Sequence, residues 1–175
     1  MRTAHALESP RVAEVPSFDE VYAQHVAFVW RIARTLGVAD SALEDAVQDV
    51  FVVVHRRLPE FEGRSTITTW LFEITRRVVS SHRRRGGRTE PLAMEPTGTA
   101  DTFADVTRTE AAAIVASILD CMDEDKRVVF ALVELEQLAV PEVARMLGIK
   151  LNTAYSRLRL ARHAFEAAVR ERRTI

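Results

Sequence analysis

Residues 140–165, VPEVARMLGIKLNTAYSRLRLARHAF, predict two helices joined by a tight turn. Pro141 suits the first turn of a helix, because the N–H that it lacks would have no partner there. Gly148 suits the position just beyond a helix end, where the left-handed conformation is common. Asn152 is a favourable N-cap for the helix that follows. This is the layout of a helix-turn-helix.

The last helix, predicted over 153–172, has an apolar face and a polar face. Its apolar residues alternate four and three apart, which predicts one buried stripe: Ala154, Leu158, Ala161, Phe165 and Ala168. The opposite face holds Asn152, Ser156, Arg159, Leu160 and His163, with Tyr155, Arg157 and Arg162 beside them. Arginines bind phosphates or guanine edges, and an outward leucine can pack on a thymine methyl group. This face favours DNA binding; a bundle helix with a basic surface is the alternative.

Charge is distributed in blocks along the 175 residues, although the net charge is only −1. Residues 64–88 carry 7 basic and 1 acidic side chains, and residues 126–175 carry 10 and 5. The other segments are acidic, with 6 basic and 10 acidic side chains over 1–63 and 1 and 9 over 89–125. Two basic blocks are typical of a protein with two nucleic-acid contact sites, because phosphates must be neutralised locally. Solvated helix faces would give the same pattern.

Outside one segment, the chain is predicted to be helical. Leucine, alanine, valine, glutamate and arginine recur at three- and four-residue spacing, and strand patterns are absent. The predicted helices cover 18–36, 41–58, 66–85, 109–121, 123–137, 140–147 and 153–172. Residues 87–108 contain glycine, proline, threonine and acids without apolar periodicity, which indicates a flexible linker. The sequence thus predicts an all-α protein with an N-terminal tail, 1–17, and two small helical domains, 18–86 and 109–175.

The second predicted helix has a candidate partner-binding face. Its predicted buried stripe is Leu43, Val47, Val50, Phe51, Val54 and Leu58. The far face combines Asp45, Gln48, Asp49 and Arg56 with Val52 and Val53. Apolar residues beside acids on an exposed face are typical of protein interfaces. Scattered exposed valines are also common on ordinary surfaces, so both interpretations stay open.

The third predicted helix combines a basic face with an aromatic residue. Its predicted buried residues are Trp70, Leu71, Ile74 and Val78, and its predicted outward residues are Phe72, Arg76, Val79 and Arg83. A basic face with an outward aromatic ring favours opened DNA strands, whose unstacked bases need a flat apolar surface. The preceding polar loop, 61–66, could receive an extruded base or simply connect two helices. Trp30 and Trp70 are predicted to be core residues.

Other classes of function find little support in the sequence. No apolar run approaches the about 18 residues that a membrane span needs, and residues 1–16 lack the apolar core of a signal peptide, so we expect a cytoplasmic protein. The single cysteine, Cys121, excludes an internal disulfide and a multi-cysteine metal site. His25, His55 and His82 have no acid or cysteine at metal-ligand spacing, and there is no glycine-rich phosphate loop. We therefore expect no enzyme activity, cofactor, metal or small-molecule substrate.

Four stretches together resemble the extracytoplasmic-function (ECF) sigma factors, the smallest class of the sigma family that includes the housekeeping factors. They are FDEVYAQHVAFVWRIARTLG (18–37), LEDAVQDVFVVVHRRLPEF (43–61), RSTITTWLFEITRRVVSSHRRR (64–85) and DEDKRVVFALVELEQLAVPEVARMLGIKLNTAYSRLRLAR (123–162). They occur in the family's order and cover most of residues 18–165. The set is far more specific than any one motif.

The resemblance implies that the first half is sigma region 2, the second half is region 4, and the linker passes through RNA polymerase toward the RNA exit channel. It implies polymerase contacts by Asp45, Gln48, Asp49, Phe51 and Val52, of which Phe51 faces inward. The −10 promoter element, with a flipped base, would be bound by Phe61, Gly63, Arg64, Ser65, Phe72, Arg76 and Arg83. The −35 element would be read by Asn152, Thr153, Tyr155, Ser156, Arg157, Arg159, Leu160 and Arg162.

The implied partners are core RNA polymerase, through its β′ clamp and β flap, promoter DNA, and an anti-sigma factor that wraps between the halves. The protein would be cytoplasmic and nucleoid-associated, or held at the membrane by the anti-sigma factor, without inserting into the membrane itself. The alternative is a helix-turn-helix regulator that binds duplex DNA without polymerase. Such a regulator would need a dimerisation surface and would leave the block 61–85 unused.

Three residues depart from the family pattern. Tyr155 stands where the family usually has lysine or arginine, and Leu160 stands where it often has a polar or basic residue. The preferred −35 sequence is therefore expected to be unusual. Ala139 replaces a common serine cap, which should weaken the start of the helix 140–147 by roughly 1 kcal/mol.

Overall fold

The computed structural model describes residues 16–86 and 103–173, and within those ranges it contains helices and no strand. The first half comprises α1 (Phe18–Thr35), α2 (Asp40–Arg57), a short 3₁₀ turn (Leu58–Glu60) and α3 (Ile67–Gly86). The second half comprises α4 (Phe103–Asp120), α5 (Glu124–Phe130), a π-helical segment (Ala131–Leu135), α6 (Val140–Leu147) and α7 (Leu151–Arg173). The predicted all-α fold is confirmed.

Local signals fix both ends of α1. The Ser17 hydroxyl accepts a hydrogen bond from the Glu20 N–H (3.3 Å), and the Glu20 carboxylate accepts one from the Ser17 N–H (2.8 Å). These reciprocal bonds satisfy two N–H groups at the helix start. At the other end, Gly37 adopts φ +87°, a conformation that strongly favours glycine. The predicted helix end at Gly37 is confirmed.

Helices α1, α2 and α3 pack around a shared apolar core. All six residues of the predicted α2 stripe are buried, namely Leu43, Val47, Val50, Phe51, Val54 and Leu58. Val29 and Ile32 of α1 and Leu71 and Ile74 of α3 belong to the same core. Burying a side chain of this kind contributes about 1.5–3 kcal/mol, so the three helices stabilise one another.

Helix α3 buries a wider face than the sequence predicts. Phe72 and Val79, which were expected to point outward, are only 0% and 2% exposed. Trp70 and Val78, which were expected to be buried, are only partly buried. Because α3 packs against both α1 and α2, two adjacent apolar columns are covered instead of one. The predicted outward orientation of Phe72 and Val79 is therefore wrong.

In the second half, α7 packs against α5 and α6. Of its predicted stripe, Ala154, Leu158 and Ala161 are buried, and Phe165 and Ala168 are half-buried. The Phe165 ring stacks on the ring of Phe130 in α5, with centroids 4.9 Å apart. The amphipathic prediction for this helix is confirmed.

Two helices begin two residues or more before their predicted starts. Helix α4 begins at Phe103, so residues 103–108, which were assigned to the linker, are helical. The remainder of that predicted linker, 87–102, lies outside the described residues. Helix α7 begins at Leu151, so Asn152 lies in its first turn and is not its N-cap.

The two halves contact each other. Helix α1 lies beside α5, and α3 lies beside α6. The larger apolar cluster contains residues of both halves, including Val29 from the first and Val129 from the second. The surfaces at this contact are therefore withdrawn from solvent.

Candidate nucleic-acid interface

The helix-turn-helix predicted at 140–165 is present. Gly148, just beyond the end of α6, adopts φ +66°, as expected for a helix-terminating glycine. The Ile149 N–H donates to the Ala144 carbonyl oxygen at 3.0 Å, which satisfies a carbonyl of the last turn. A tight turn of this kind fixes the start of α7 relative to α6, as a recognition helix requires.

Helix α7 presents its predicted polar face to solvent. Tyr155 and Leu160 are 51% and 46% exposed. Of the other predicted DNA-contacting residues, Asn152, Ser156, Arg159 and Arg162 are exposed, and Thr153 and Arg157 are partly buried. Such a face can donate hydrogen bonds to phosphates and base edges and can pack on a thymine methyl group.

Two arginines of α7 are paired with acids of the same half. Arg157 forms an ion pair with Asp125 in α5. Arg162 lies 2.6 Å from Glu134, measured from Nη2 to Oε1. Arg159 is exposed and forms no ion pair with any residue that the structure describes. A paired arginine must leave its acid to bind a phosphate fully, so Arg159 is the most available cation of the three.

The loop before α3, residues 61–66, lies next to a pair of aromatic rings. The ring centroids of Phe61 and Trp70 are 5.2 Å apart, and both residues are half-buried. Gly63 adopts φ +68°, and open space surrounds the position that a Cβ would take. Gly63, Arg64 and Ser65 are all exposed. The loop therefore offers donors, a cation and free space next to two aromatic rings.

Helix α3 carries a basic surface, but Phe72, the aromatic residue predicted to lie on that surface, is buried. Its exposed cations are Arg76, Arg77, Arg83 and Arg84. Arg83 Nη1 lies 2.7 Å from Glu124 Oε2, a carboxylate of the second half. Phe72 is buried and cannot offer a flat surface to a base. The half-buried rings near this surface belong to Phe61 and Trp70 instead.

The predicted partner-binding face of α2 is exposed in part. Asp45, Gln48 and Val52 are exposed. Asp49 is partly buried, and its carboxylate lies 2.8 Å from Nε2 of His82, which ties α2 to α3. Phe51 is only 4% exposed, so its predicted inward orientation is confirmed.

A groove of about 920 Å³ between α1 and α2 contains residues that sequence reasoning missed. Tyr22 and Trp30 line it and are 46% and 41% exposed, so the prediction that Trp30 is a core residue is wrong. The Tyr22 ring meets the ring of Phe51 edge-on at 4.7 Å, which makes Phe51 part of the groove floor. Tyr22, Val26 and Trp30 recur every four residues, and this spacing was the available signal for a second apolar face on α1.

Two family models match most of the chain. One, described as Sigma-70 region 2, matches residues 21–89, and another, described as Sigma-70, region 4, matches residues 112–164. The ECF RNA polymerase sigma factor SigC of Mycobacterium tuberculosis is 30% identical over 148 residues, which cover 79% of this chain and 76% of that protein. The chain belongs to the ECF sigma factors. Sigma factors are the transcription initiation factors that direct RNA polymerase to promoters.

Further relatives of this sigma factor come from other bacteria. The ECF RNA polymerase sigma factor SigE of Mycolicibacterium smegmatis is 28% identical over 174 residues, covering 89% of this chain and 66% of that protein. The RNA polymerase sigma factor CnrH of Cupriavidus metallidurans is 26% identical over 163 residues, covering 86% of this chain and 85% of that protein. This sigma factor thus spans about two thirds of the first relative and most of the second.

Solved structures share the fold. CnrH in complex with the cytosolic domain of CnrY matches with a TM-score of 0.65 and 26% identity, over 88% of each chain. The sigma factor RpoE in complex with the anti-sigma factor NepR from Bartonella quintana matches with a TM-score of 0.68 and 21% identity, over 87% of this chain and 96% of that one. The second likeness concerns the fold alone.

Two features are absent from the residues of this sigma factor that the structure describes. None of the described helices is long and apolar enough to cross a membrane. Among the same residues, no group of three or more histidine, cysteine, aspartate or glutamate side chains is placed to hold a metal ion.

Proposed function

We propose that this sigma factor recognises a promoter through two surfaces, one on each half. Helix α7 reads the −35 element in the major groove, and the loop 61–66 together with α3 holds the opened −10 strand. The exposed face of α7 supports this proposal most directly. Tyr155, Arg159 and Leu160 are exposed on it, while the opposite, apolar face of α7 packs against the rest of the second half. The major groove admits one α-helix whose outward side chains reach base edges.

At the −35 element, the residues of α7 divide into positioning and reading groups. Arg159 and Arg162 are placed to bind phosphates or guanine edges, and Asn152 and Ser156 can hydrogen-bond to either. Leu160 reads a thymine methyl group, since an exposed leucine gains from apolar contact and donates no hydrogen bond. The partly buried Thr153 and Arg157 contribute at the edge of the contact. Tyr155 and Leu160 replace the basic or polar residues that are usual in the family, which supports a preference for an unusual −35 sequence.

At the −10 element, the opened strand binds beside the Phe61–Trp70 pair. An extruded base enters at Gly63, Arg64 and Ser65, where open space and hydrogen-bond donors lie next to aromatic rings. The exposed arginines of α3, Arg76 and Arg83 among them, neutralise phosphates of the strand. Phe72 supports this surface from the core and does not touch DNA.

The sigma factor performs no bond chemistry in this proposal. It binds the opened form of the promoter better than the duplex, and this difference in affinity shifts the population toward the opened state. Core polymerase supplies the nucleotidyl transfer. Neither half needs to bind tightly alone, because attachment to polymerase raises the effective concentration of each half at its own element.

Core polymerase binds the groove between α1 and α2 in this proposal. Asp45, Gln48 and Val52 face outward on α2, and Tyr22 and Trp30 face the groove from α1. Exposed aromatic residues beside acids are typical of the centre and rim of a protein interface. The clamp helices of β′ would occupy this groove, with Asp49 at its edge and Phe51 as its floor, and the β flap would contact the second half.

We also propose an anti-sigma partner that binds both halves. CnrH, solved with the cytosolic domain of CnrY, resembles this chain over 88% of its length, which supports a similar mode of assembly. An anti-sigma factor anchored in the membrane would hold the sigma factor there, and its release would return the protein to the nucleoid.

In vitro transcription with purified core polymerase over a panel of genomic promoters tests the function. Two variants of adjacent residues sharpen the test. Arg159→Ala should weaken −35 binding on all sequences and reduce the slope of log affinity against log salt by about 0.9, because one phosphate contact is lost. Leu160→Ala should leave that slope unchanged and reduce discrimination at one base pair by about 1–3 kcal/mol.

Two outcomes would contradict the proposal. Binding to core polymerase without stimulation of any transcript would exclude a sigma function. Tight binding of the purified protein to a palindromic duplex without polymerase would favour the helix-turn-helix regulator instead.

A further inference from the structure

A pocket of about 720 Å³ lies between α1 of the first half and α4, α5 and the π-helical segment of the second half. Much of its wall is apolar, with Val115, Ala116 and Leu119 contributed by α4 and Leu135 by the π-helical segment. Small-molecule sites in proteins commonly have volumes of about 300–1,000 Å³ and mostly apolar walls with a few polar groups. The pocket therefore has the size and the apolar lining of a ligand site.

Three arginines line the same pocket, Arg31 and Arg34 from α1 and Arg127 from α5. Arg31 already has a partner, because its Nε and Nη2 donate to the two carboxylate oxygens of Glu136 at 2.6 Å and 2.7 Å. Arg34 pairs with Asp40 at 3.4 Å, and these two side chains are 43% and 71% exposed. Water screens a pair this exposed. Arg34 can therefore exchange Asp40 for another anion at little cost.

Arg127 is poorly compensated for a cation that is mostly buried. Its side chain is only 13% exposed, and its ion pair with Asp120 is long, with Nη1 and Oδ1 3.8 Å apart. Its Nε is buried and has no hydrogen-bond partner among the residues that the structure describes. A buried cation is stable only when anions and hydrogen-bond acceptors compensate for the lost water. Arg127 therefore favours an anion at the wall of this pocket.

The acids of the pocket do not offset the three arginines. Among the described residues, two acids line the pocket, Asp120 and Glu134. Glu134 pairs at 2.6 Å with Arg162, which is not part of the lining. The Asp120 side chain is 62% exposed, so water screens its long contact with Arg127. By formal charge, three arginines and two acids leave the lining with an excess of one positive charge.

We propose that this pocket binds a small amphiphilic carboxylate, with its head group against Arg127 and Arg34 and its apolar body on the wall formed by α4. A guanidinium group donates two parallel hydrogen bonds to the two oxygens of a carboxylate. A single negative charge matches the excess charge of the lining, whereas a phosphate monoester carries about 1.5–2 negative charges at pH 7. The ligand is bound and not converted. The residues of this site differ from those proposed to contact promoter and polymerase, so the proposal does not depend on those contacts.

Titration of the full chain with octanoate, followed in ¹H–¹⁵N NMR spectra, tests the site. Octanol has the same apolar body without the charge, and acetate has the same head group without the apolar body. Octanoate should bind at one site and at least about tenfold more tightly than octanol or acetate, because it alone satisfies both parts of the pocket. The signal of the Arg127 Nε–H should shift as octanoate binds. Shift changes confined to residues outside the pocket, or equal affinity for octanoate and octanol, would overturn the proposal.

Two variants separate the head group from the apolar body, each with a matched control. Arg127→Met removes the charge and keeps an unbranched apolar side chain, so it should weaken octanoate binding at least about tenfold and leave octanol binding unchanged. Arg145→Met, at an exposed position on α6, should bind octanoate as the parent does. Ala116→Phe fills the pocket from α4 and should abolish octanoate binding. Ala113→Phe, at an exposed position on the same helix, should not.

Thermal unfolding checks that each variant is folded, since Arg127 is mostly buried. Parental affinity for octanoate in folded Arg127→Met, or in folded Ala116→Phe, would show that the ligand binds elsewhere and would overturn the proposal. If neither variant folds, the shift changes in the parent chain still decide the question, because they need no substitution. Shift changes that cluster at Val115, Leu119 and Arg127 support the site.

Discussion

The Arg162 guanidinium donates a hydrogen bond to the Glu134 carboxylate, with Nε and Oε1 2.8 Å apart, and so ties α7 to the π-helical segment of the same half. The Arg162 side chain is 53% exposed and that of Glu134 is 31% exposed. Pairs with this much solvent contact are worth about 0–1 kcal/mol. A phosphate can therefore compete with Glu134 for Arg162.

We predict that Glu134→Gln tightens binding to a −35 duplex by roughly threefold to tenfold and makes its salt dependence steeper, because Arg162 becomes free to neutralise a phosphate. Fluorescence anisotropy at several salt concentrations measures both quantities. Glu171→Gln, an exposed substitution near the far end of α7, is the control and should change neither. Weaker binding by Glu134→Gln would mean instead that Glu134 holds Arg162 in its DNA-binding orientation.

Substitutions at Phe72 and Arg76, one turn apart on α3, should have different effects, the first on the stability of the fold and the second on DNA binding. Phe72→Ala should lower the free energy of unfolding by about 3–5 kcal/mol, since Phe72 is 0% exposed. Arg76→Ala should change it by less than about 0.5 kcal/mol, because Arg76 lies on the surface. Only Arg76→Ala should give a stable protein whose holoenzyme binds an opened −10 strand more weakly. Urea unfolding and strand-binding titrations measure the two effects, and equal stability of both variants would contradict the burial of Phe72.

The contrast between α7 and α3 explains which structural features the sequence predicts well. Helix α7 packs along one stripe, so the positions of Ala154, Leu158 and Ala161 define its buried face. Helix α3 packs against both α1 and α2, and its apolar residues occupy adjacent columns in which Leu71 and Phe72 are both buried. A single-stripe pattern could not show that the second column was covered as well.

Contacts between distant residues lay outside the reach of sequence reasoning. Arg31 donates two hydrogen bonds to the Glu136 carboxylate, and no local spacing links two residues that are 105 positions apart. Trp30 was assigned to the core because tryptophan is large and apolar, yet it lines an open groove. For the candidate site, residue identity and helical spacing located the α7 face, whereas the pairing of Arg157 and Arg162 with acids depended on tertiary packing.

A hydroxyl group at the N-cap of α6 should raise the stability of the protein. Ala139 is the N-cap, with extended backbone (ψ 138°) and no side-chain hydrogen bond. Ala139→Ser would add an acceptor for the Glu142 N–H, as Ser17 does for Glu20 in α1. We expect about 1 kcal/mol of added stability in thermal or urea unfolding. Ala139→Val, which cannot accept a hydrogen bond, is the control, and an equal gain from both substitutions would exclude capping as the cause.

Removing an aromatic side chain from the groove between α1 and α2 should weaken binding to core polymerase and leave the protein folded. Trp30 is 41% exposed there, so Trp30→Ala removes contact area that a partner would cover. Exposed tryptophans at interfaces often contribute at least about 2 kcal/mol, so affinity for core polymerase should fall by more than about tenfold. Ile114→Ala, at a 46% exposed position on α4, provides the matched control and should bind core polymerase as the parent does. Titration of labelled sigma factor with core polymerase measures the affinities, and thermal unfolding checks the fold. If Trp30→Ala bound core polymerase as tightly as the parent does, this groove would be ruled out as the binding site. The exposed face of α2 would then bind polymerase without a contribution from α1.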